Sequence, residues 1–351
     1  MKNRNKKSLL LGIIIVIVIA FIIMEYGDEL LFNQEDTIAE GTLKVHFIDV
    51  GQGDAILIQE KNNAMLIDGG DNKYEKLVVD YLKSAGISKL DYVIGTHPHA
   101  DHIGGLDAVI DSFEVANIIM PKAQSNTKTF EDVLLAAKKK GLKVSFPEIR
   151  GDYELGEGRW TILGPNSKEY SNLNNYSIVV KLNFGSNSFL FTGDAEELSE
   201  KEILELHRKY LKSDVLKVGH HGSDSSNSED FLDAVNPKIG VIQLAEDNKY
   251  GHPHKEVLKR FQDRNIKIYR NDLEGNIVLI SDGKTIDVKA QQVAIKETQE
   301  KTNIQYIGNK NSKVFHLGSC EQLPKEDNRV YFSNRKEAIK ENYTPCNRCK
   351  P

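Results

Sequence analysis

Thr96-His97-Pro98-His99-Ala100-Asp101-His102, residues 96–102, is the stretch on which the fold turns. Three imidazoles and one carboxylate fall within six residues, directly after the strand-like run Leu90-Asp91-Tyr92-Val93-Ile94. Each of these side chains offers an N or O donor suited to zinc, manganese or iron. His97 and His99 stand two apart, so an extended loop points them to one side, while Asp101 and His102 turn toward a second ion. A loop of merely satisfied polar residues does not pack four donors so closely. His46 shows the contrast, because it stands alone within a strand and reads as structural. Gly104 and Gly105 follow, and they are expected to let the backbone turn tightly before a helix.

Working outward, residues 43–50 alternate apolar and polar and end in Gly51-Gln52-Gly53-Asp54, with further strand patterns at 55–59 and 64–70 and a helical one at 76–85. Downstream, strands are expected at 177–182, 188–192, 215–218, 239–244 and 277–280, and helices at 130–140, 196–211, 229–235 and 253–264. The class is α/β. Gly51-Gln52-Gly53 lacks the third glycine of a dinucleotide fingerprint and lies between two strands, so it reads as a hairpin turn near the site. Asp68 in Asp68-Gly69-Gly70 is either a partner that holds a metal ligand from behind or part of a simple turn. Lys138-Lys139-Lys140 closes a helix, where interaction with the helix dipole explains it.

The 351 residues are 40% hydrophobic and 28% charged, which is ordinary for a chain that folds in water, and the formal charge of -5 gives no global footprint for nucleic acid. The N-terminus departs from this pattern. Lys2, Arg4, Lys6 and Lys7 precede an uncharged run over 9–24, expected to be a single-pass signal anchor at 1–24 with everything after Glu25 outside the cell membrane. A cleaved signal peptide, giving a secreted protein, is the alternative, although 21–26 lacks the small residues of a cleavage site. A polar tether at 25–42, an α/β domain at 43–290, a hydrophilic linker at 291–303 and a module at 304–351 complete the expected organisation. All three cysteines fall in that module.

His97-Pro98-His99-Ala100-Asp101-His102 resembles the H-x-H-x-D-H motif of the metallo-β-lactamase superfamily, and the resemblance extends over about residues 43–288. It implies a four-layer αββα sandwich and two divalent ions, zinc or manganese, with Asp194 of Phe191-Thr192-Gly193-Asp194 as the bridging carboxylate. Val50-Gly51-Gln52-Gly53-Asp54-Ala55, Asn174-Asn175-Tyr176-Ser177-Ile178-Val179 and Leu216-Lys217-Val218-Gly219-His220-His221-Gly222-Ser223 are most similar to the hydrolase domain of ComEC-type DNA-uptake competence proteins. The pattern is departed from in one place. Where the superfamily usually has a histidine between the first motif and the bridging aspartate, this chain has Asn174 or Asn175. The last histidine ligand is either His252 or one of His220 and His221. Analogy with the RNA-processing branches gives His252 to metal and His220 or His221 to proton transfer or phosphate contact, with the reverse order left open. Asp101 would also hold the attacking hydroxide.

Lactam-hydrolysing members most often carry cysteine at the bridging position, which is Asp194 here. Two hard ions bridged by a carboxylate suit phosphodiester hydrolysis. The expected activity is therefore a phosphodiesterase or nuclease acting on DNA or nucleotides. The alternatives are a metallohydrolase of another ester, a lactone or a signalling nucleotide, and a binding protein with a degenerate site.

In the tail, His316-Leu317-Gly318-Ser319-Cys320 and Pro345-Cys346-Asn347-Arg348-Cys349 supply one histidine and three thiols in a stretch too short to bury much core. A structural zinc held by His316, Cys320, Cys346 and Cys349 would supply folding free energy, whereas a disulfide would leave one thiol over. The tail resembles the small zinc-binding module of Ada-type DNA repair proteins. His316 replaces one cysteine of that pattern, so the resemblance implies a structural role without methyl transfer. Nine Lys or Arg against five Asp or Glu over 309–351 give a basic excess that suits nucleic acid or a solvated surface equally.

Overall fold

The computed structural model describes residues 41–291 and 306–349, apart from 319, 321, 333–337 and 340. The anchor expected at 1–24 lies outside the described residues, as do the tether up to residue 40 and all of the linker expected at 291–303 but Gln291, which ends β15. Among the described residues, no helix is long and apolar enough to cross a membrane. The chain divides into two compact units at 293/294.

In the larger unit, the first six strands are β1 (Leu43–Phe47), β2 (Ile56–Glu60), β3 (Asn63–Ile67), β4 (Lys89–Ile94), β5 (Glu114–Ile119) and β6 (Val144–Ser145). Seven more follow: β7 (Tyr153–Leu155), β8 (Gly158–Gly164), β9 (Val179–Phe184), β10 (Asn187–Phe191), β11 (Val215–Lys217), β12 (Ile239–Ile242) and β13 (Lys267–Arg270). They form a second sheet in the order β13-β12-β11-β10-β9-β8-β7. The chain then returns through β14 (Asn276–Ser281) and β15 (Ile286–Gln291) to the first sheet, ordered β15-β14-β1-β2-β3-β4-β5-β6.

Alternation along the strands builds four layers. Val45, Phe47, Ile56, Ile58, Met65 and Ile67 meet Phe189, Phe191, Val180 and Trp160 between the sheets. Their neighbours Leu57 and Leu66 point outward onto a cluster with residues of the helices Glu75–Ser84, Leu106–Ser112 and Lys128–Lys139. On the other side, Leu190 and Leu216 pack with residues of the helices Glu197–His207, Glu229–Val235 and Lys255–Asp263. A period of two with both faces apolar is what a sheet covered on both sides requires.

The strands expected near 43, 55, 64, 90, 177, 188, 215, 239 and 277 all form, as do the helices expected near 76, 130, 196, 229 and 253. β5 to β8, β13 and β15 had not been foreseen. β7 and β8 carry Glu154 and Arg159, with Glu157 in the turn between them, on a solvated edge, which breaks up the apolar pattern.

The smaller unit is a four-stranded sheet in the order Arg329–Phe332, Tyr306–Asn309, Val314–Leu317, Thr344–Pro345. Among the described residues its core is a small cluster around Phe315, Phe332, Ala338 and Tyr343. So small a core rarely holds a fold without a staple.

Candidate metal centre

The loops of the centre leave the sheets at one end. β3 and β4 run parallel, as do β10, β11 and β12, so the loops after their carboxyl ends emerge together. β9 is antiparallel to β10, which brings the segment before it, with Asn174 and Ser177, to the same end.

After β3 the chain turns through Asp68, whose φ of 59° is the left-handed region that side chains other than glycine rarely adopt. Its fully buried carboxylate accepts hydrogen bonds from the N–H and the hydroxyl of Thr96, both at 2.7 Å, and lies 2.8 Å from Nδ1 of His102. Of the two expectations for Asp68, the partner holding a histidine from behind is the one the geometry gives. Thr96 and Ser177 reach Nδ1 of His97 at 3.2 and 3.3 Å, and Ser177 also accepts the N–H of Asp194 at 3.0 Å.

These braces aim the other ring nitrogens inward. His97, His102 and Asp194 form one group of donor atoms, all within 4.8 Å of one another, and Asp101, His102 and His221 form a second. Oδ2 of Asp194 lies 3.2 Å from Nε2 of His102, 3.5 Å from Nε2 of His221 and 3.9 Å from Nε2 of His97. Asp194 is thus the carboxylate between the groups. Nδ1 of His99 lies 2.9 Å from Nε2 of His97, outside the tight groups but adjacent to the first. Nε2 of His102, Nε2 of His221 and Oδ1 of Asp194 are buried without a hydrogen-bond partner. Orphaned donor atoms converging in this way fit divalent cations.

Electrostatics agree with that fit. Burial alone would push the His102 and His221 imidazoles down, but Asp194, with Asp68 beside His102 and with Asp101 and Asp54 beside His221, outweighs it. His102 is held well above the ordinary imidazole value and His221 is raised to about 10. The carboxylates are gathered around a point that calls for positive charge. His97, by contrast, is driven well down by burial and by His102.

The structure gives different surroundings to the histidines and the asparagines between which the sequence left a choice. His221 is buried, with Nδ1 2.8 Å from the carbonyl of Gln243 and Nε2 in the second group. His220 lies on the cavity wall, with Nδ1 3.0 Å from Ser225 Oγ and 3.5 Å from Glu196, and Nε2 3.7 Å from Asp194. His252, expected to be the last ligand, belongs to neither group. It borders the cavity beside His221, the two ring centroids 6.5 Å apart, and its Nδ1 is buried without a hydrogen-bond partner, so His221 joins it as a candidate for the last ligand. Of the two asparagines, Asn174 faces the cavity with a buried, unpartnered Oδ1, whereas Asn175 turns away to accept the N–H groups of Glu196 and Ser199. Both histidines at 220 and 221 have positive φ, 49° and 53°. Two such residues in succession cost about 1–3 kcal/mol each, and strain of this kind collects at functional sites.

Other residues of the centre had no role in the sequence reading. Asp54 is buried beside His221 and pairs with the fully buried Lys217 at 2.7 Å. Burial opposes its charge, but the Lys217 ammonium overcomes that and holds the carboxyl at about 2. The signal was a lysine inside the apolar run Val215-Leu216-Lys217-Val218. Gly53 lets this loop lie against the metal loop, since a Cβ there would fall 2.3 Å from the carbonyl of Asp101. Gly104 and Gly105 serve packing more than turning, because a Cβ on them would fall 2.3 Å from Asn72 N and from Gly69 O respectively. His46 is structural, as expected, with Nδ1 2.9 Å from the Tyr81 hydroxyl.

The centre opens into a cavity of about 320 Å³ bordered by His99, Asp101, Asn174, Asp194, His220 and His252. The profile of the family described as "Metallo-beta-lactamase superfamily" matches residues 48–245, more than half of the chain. The chain belongs to the metallo-β-lactamase superfamily. Among curated superfamily relatives, ComE operon protein 3 of Bacillus subtilis is 32% identical over 268 residues, 71% of this chain and 34% of that protein. Competence protein ComA of Neisseria gonorrhoeae is 29% identical over 249 residues, covering 68% and 32%. These relatives place it in the ComEC-type branch. The chain spans about a third of the length of either. The metallo-beta-lactamase fold protein YhfI of Bacillus subtilis aligns with a TM-score of 0.48 at 16% identity, over 68% of this chain and all of that one.

The tail matches the family "Metal binding domain of Ada" over residues 290–351. Within this unit His316, Cys320, Cys346 and Cys349 bring one donor atom each within 4.8 Å of the others. The three thiols are free of disulfides. The backbone donors of Cys349 and then Arg348, the latter with its N–H 3.4 Å from Cys346 Sγ, lower the Cys346 thiol pKa.

Proposed function

We propose that the chain is a metal-dependent phosphodiesterase or nuclease acting on DNA or nucleotides, held at the outer face of the cell membrane by residues 1–24. The observation that carries this reading is the single carboxylate of Asp194 between two groups of buried, unpartnered donors. His97, His99 and Asp194 would hold one divalent ion, zinc or manganese, and Asp101, His102, His221 and Asp194 the other. Such a pair lowers the pKa of a bridging water and neutralises phosphoryl oxygens.

The chain's own residues do the rest. Asp101, about a third exposed to the cavity, would orient the attacking hydroxide. His220, fixed at Nδ1 by Ser225 and Glu196, presents Nε2 to the cavity and exchanges a proton with the leaving oxygen. Asp68 and the Gln243 carbonyl fix the rings of His102 and His221, so the ligands need no reorganisation when the substrate binds. In the tail, a zinc on His316 and the three cysteines would hold a module whose basic excess suits a nucleic-acid clamp.

The test is a substrate panel on the full chain with zinc or manganese: single-stranded DNA, bis-p-nitrophenyl phosphate and a lactone, with His99→Ala as control. Metal-dependent cleavage of the two phosphodiesters is expected, and its loss in His99→Ala. Cleavage of the lactone alone would refute the reading.

A further inference from the structure

Tyr250 stands at the mouth of the metal-centre cavity with 53% of its surface exposed. A large ring left in water beside a polar pocket is not explained by packing. It stacks on His252, with centroids 5.6 Å apart and planes at 23°, and His252 borders the same cavity. The loop is braced from within. Asn248 donates from Nδ2 to the carbonyls of Ala245 and His252, and its Oδ1 accepts the N–H of His252 at 2.9 Å. The aromatic pair is therefore held ready before a ligand arrives, which saves ordering entropy on binding.

The charges around the ring narrow the ligand. Nζ of Lys249 lies over the Tyr250 ring, 5.0 Å from its centroid, so a cation on a flexible side chain accompanies the stacking surface. Glu246 and Asp247, both exposed at the head of the loop, oppose a run of phosphates along it. An aromatic face with one neighbouring cation, bounded by acids, suits a single nucleoside and its phosphate.

We propose that Tyr250, backed by His252, is a stacking platform for the nucleobase next to the scissile phosphodiester, with Lys249 meeting the adjoining phosphate. This rests on the phosphodiesterase reading above and names the part of the substrate that distinguishes a nucleotide from a base-free ester. Every base has a π-face, so the platform accepts all of them.

The full chain with Tyr250→Trp tests this directly, because its other tryptophan, Trp160, is buried. The zinc-loaded variant is titrated with a phosphorothioate-linked single-stranded oligonucleotide and with an abasic strand of equal length. Quenching of about twofold by the strand with bases, and none by the abasic strand, is expected. In parallel, Tyr250→Ala raises KM for single-stranded DNA about tenfold with a smaller change in kcat, and Tyr250→Phe restores it, as the loss and return of one stack require. Equal quenching by both strands, or a KM for Tyr250→Ala within about twofold of wild type, overturns the platform and leaves the phosphodiesterase reading standing. Failure of the wild type to cleave any phosphodiester removes both.

Discussion

Nζ of Lys217, at the end of β11 in the second sheet, lies 2.7 Å from the carboxylate of Asp54, in the loop that follows β1 in the first. Both side chains are sealed from solvent, and Lys217 also donates to the carbonyl of Val218 at 2.9 Å. The pair therefore ties the two sheets together directly behind His221. Removing one partner strands a buried charge, whereas removing both does not. Lys217→Met should destabilise the protein by about 3–5 kcal/mol, and the double variant Asp54→Leu with Lys217→Met by much less. Denaturant unfolding of the three proteins checks this, and a single variant as stable as wild type would show that the pair is idle.

His46 gives a prediction about acid. It is buried in β1, and burial, with Lys44 adding to it, lowers its pKa from 6.5 to about 4. The unfolded chain therefore binds a proton that the folded chain refuses between those values. Its stability contribution is complete above pH 6.5 and declines as pH falls toward 4, by about 3 kcal/mol in all. Comparing wild type with His46→Leu across this window isolates the effect from the carboxylates, and the variant should show the shallower decline.

Asn174 borders the metal-centre cavity, and its Oδ1 is buried without a partner. Asn174→His adds an imidazole to the first group of donors. The variant should bind one of its ions more tightly in a competition against a chelator, with the other ion unchanged. Weaker binding of both would mean that this position faces something other than a metal.

In the tail, four donors come together in a unit whose small apolar cluster rarely suffices to hold a fold alone. Cys346→Ser should lose one zinc, and a thiol reagent should release one zinc from the wild type, followed with a chromogenic chelator. Retention of that zinc would contradict the assignment of His316, Cys320, Cys346 and Cys349.

Much of this was legible in the chain. The alternation of 43–70 and the donors of 96–102 predicted both the sheet and the loop at its end, because those signals are local. What was not legible is what depends on distant contacts. Lys217 and Asp54 are 163 positions apart, and no spacing rule pairs them. His221 was indistinguishable from His220 until left-handed backbone at both positions turned one ring inward and left the other on the wall. Asn175 looked equal to Asn174 because only the position of the helix Glu197–His207 decides which of them it engages.

The central claim is that Asp194 joins two groups of donors into one metal centre. Metal content of the full chain by mass spectrometry, with folding verified by circular dichroism, tests it most directly. Wild type should carry two divalent ions beyond the one held by the tail, and Asp194→Asn should keep only the tail's ion and lose phosphodiester cleavage. If Asp194→Asn retains all of its metal and its activity, the account is contradicted.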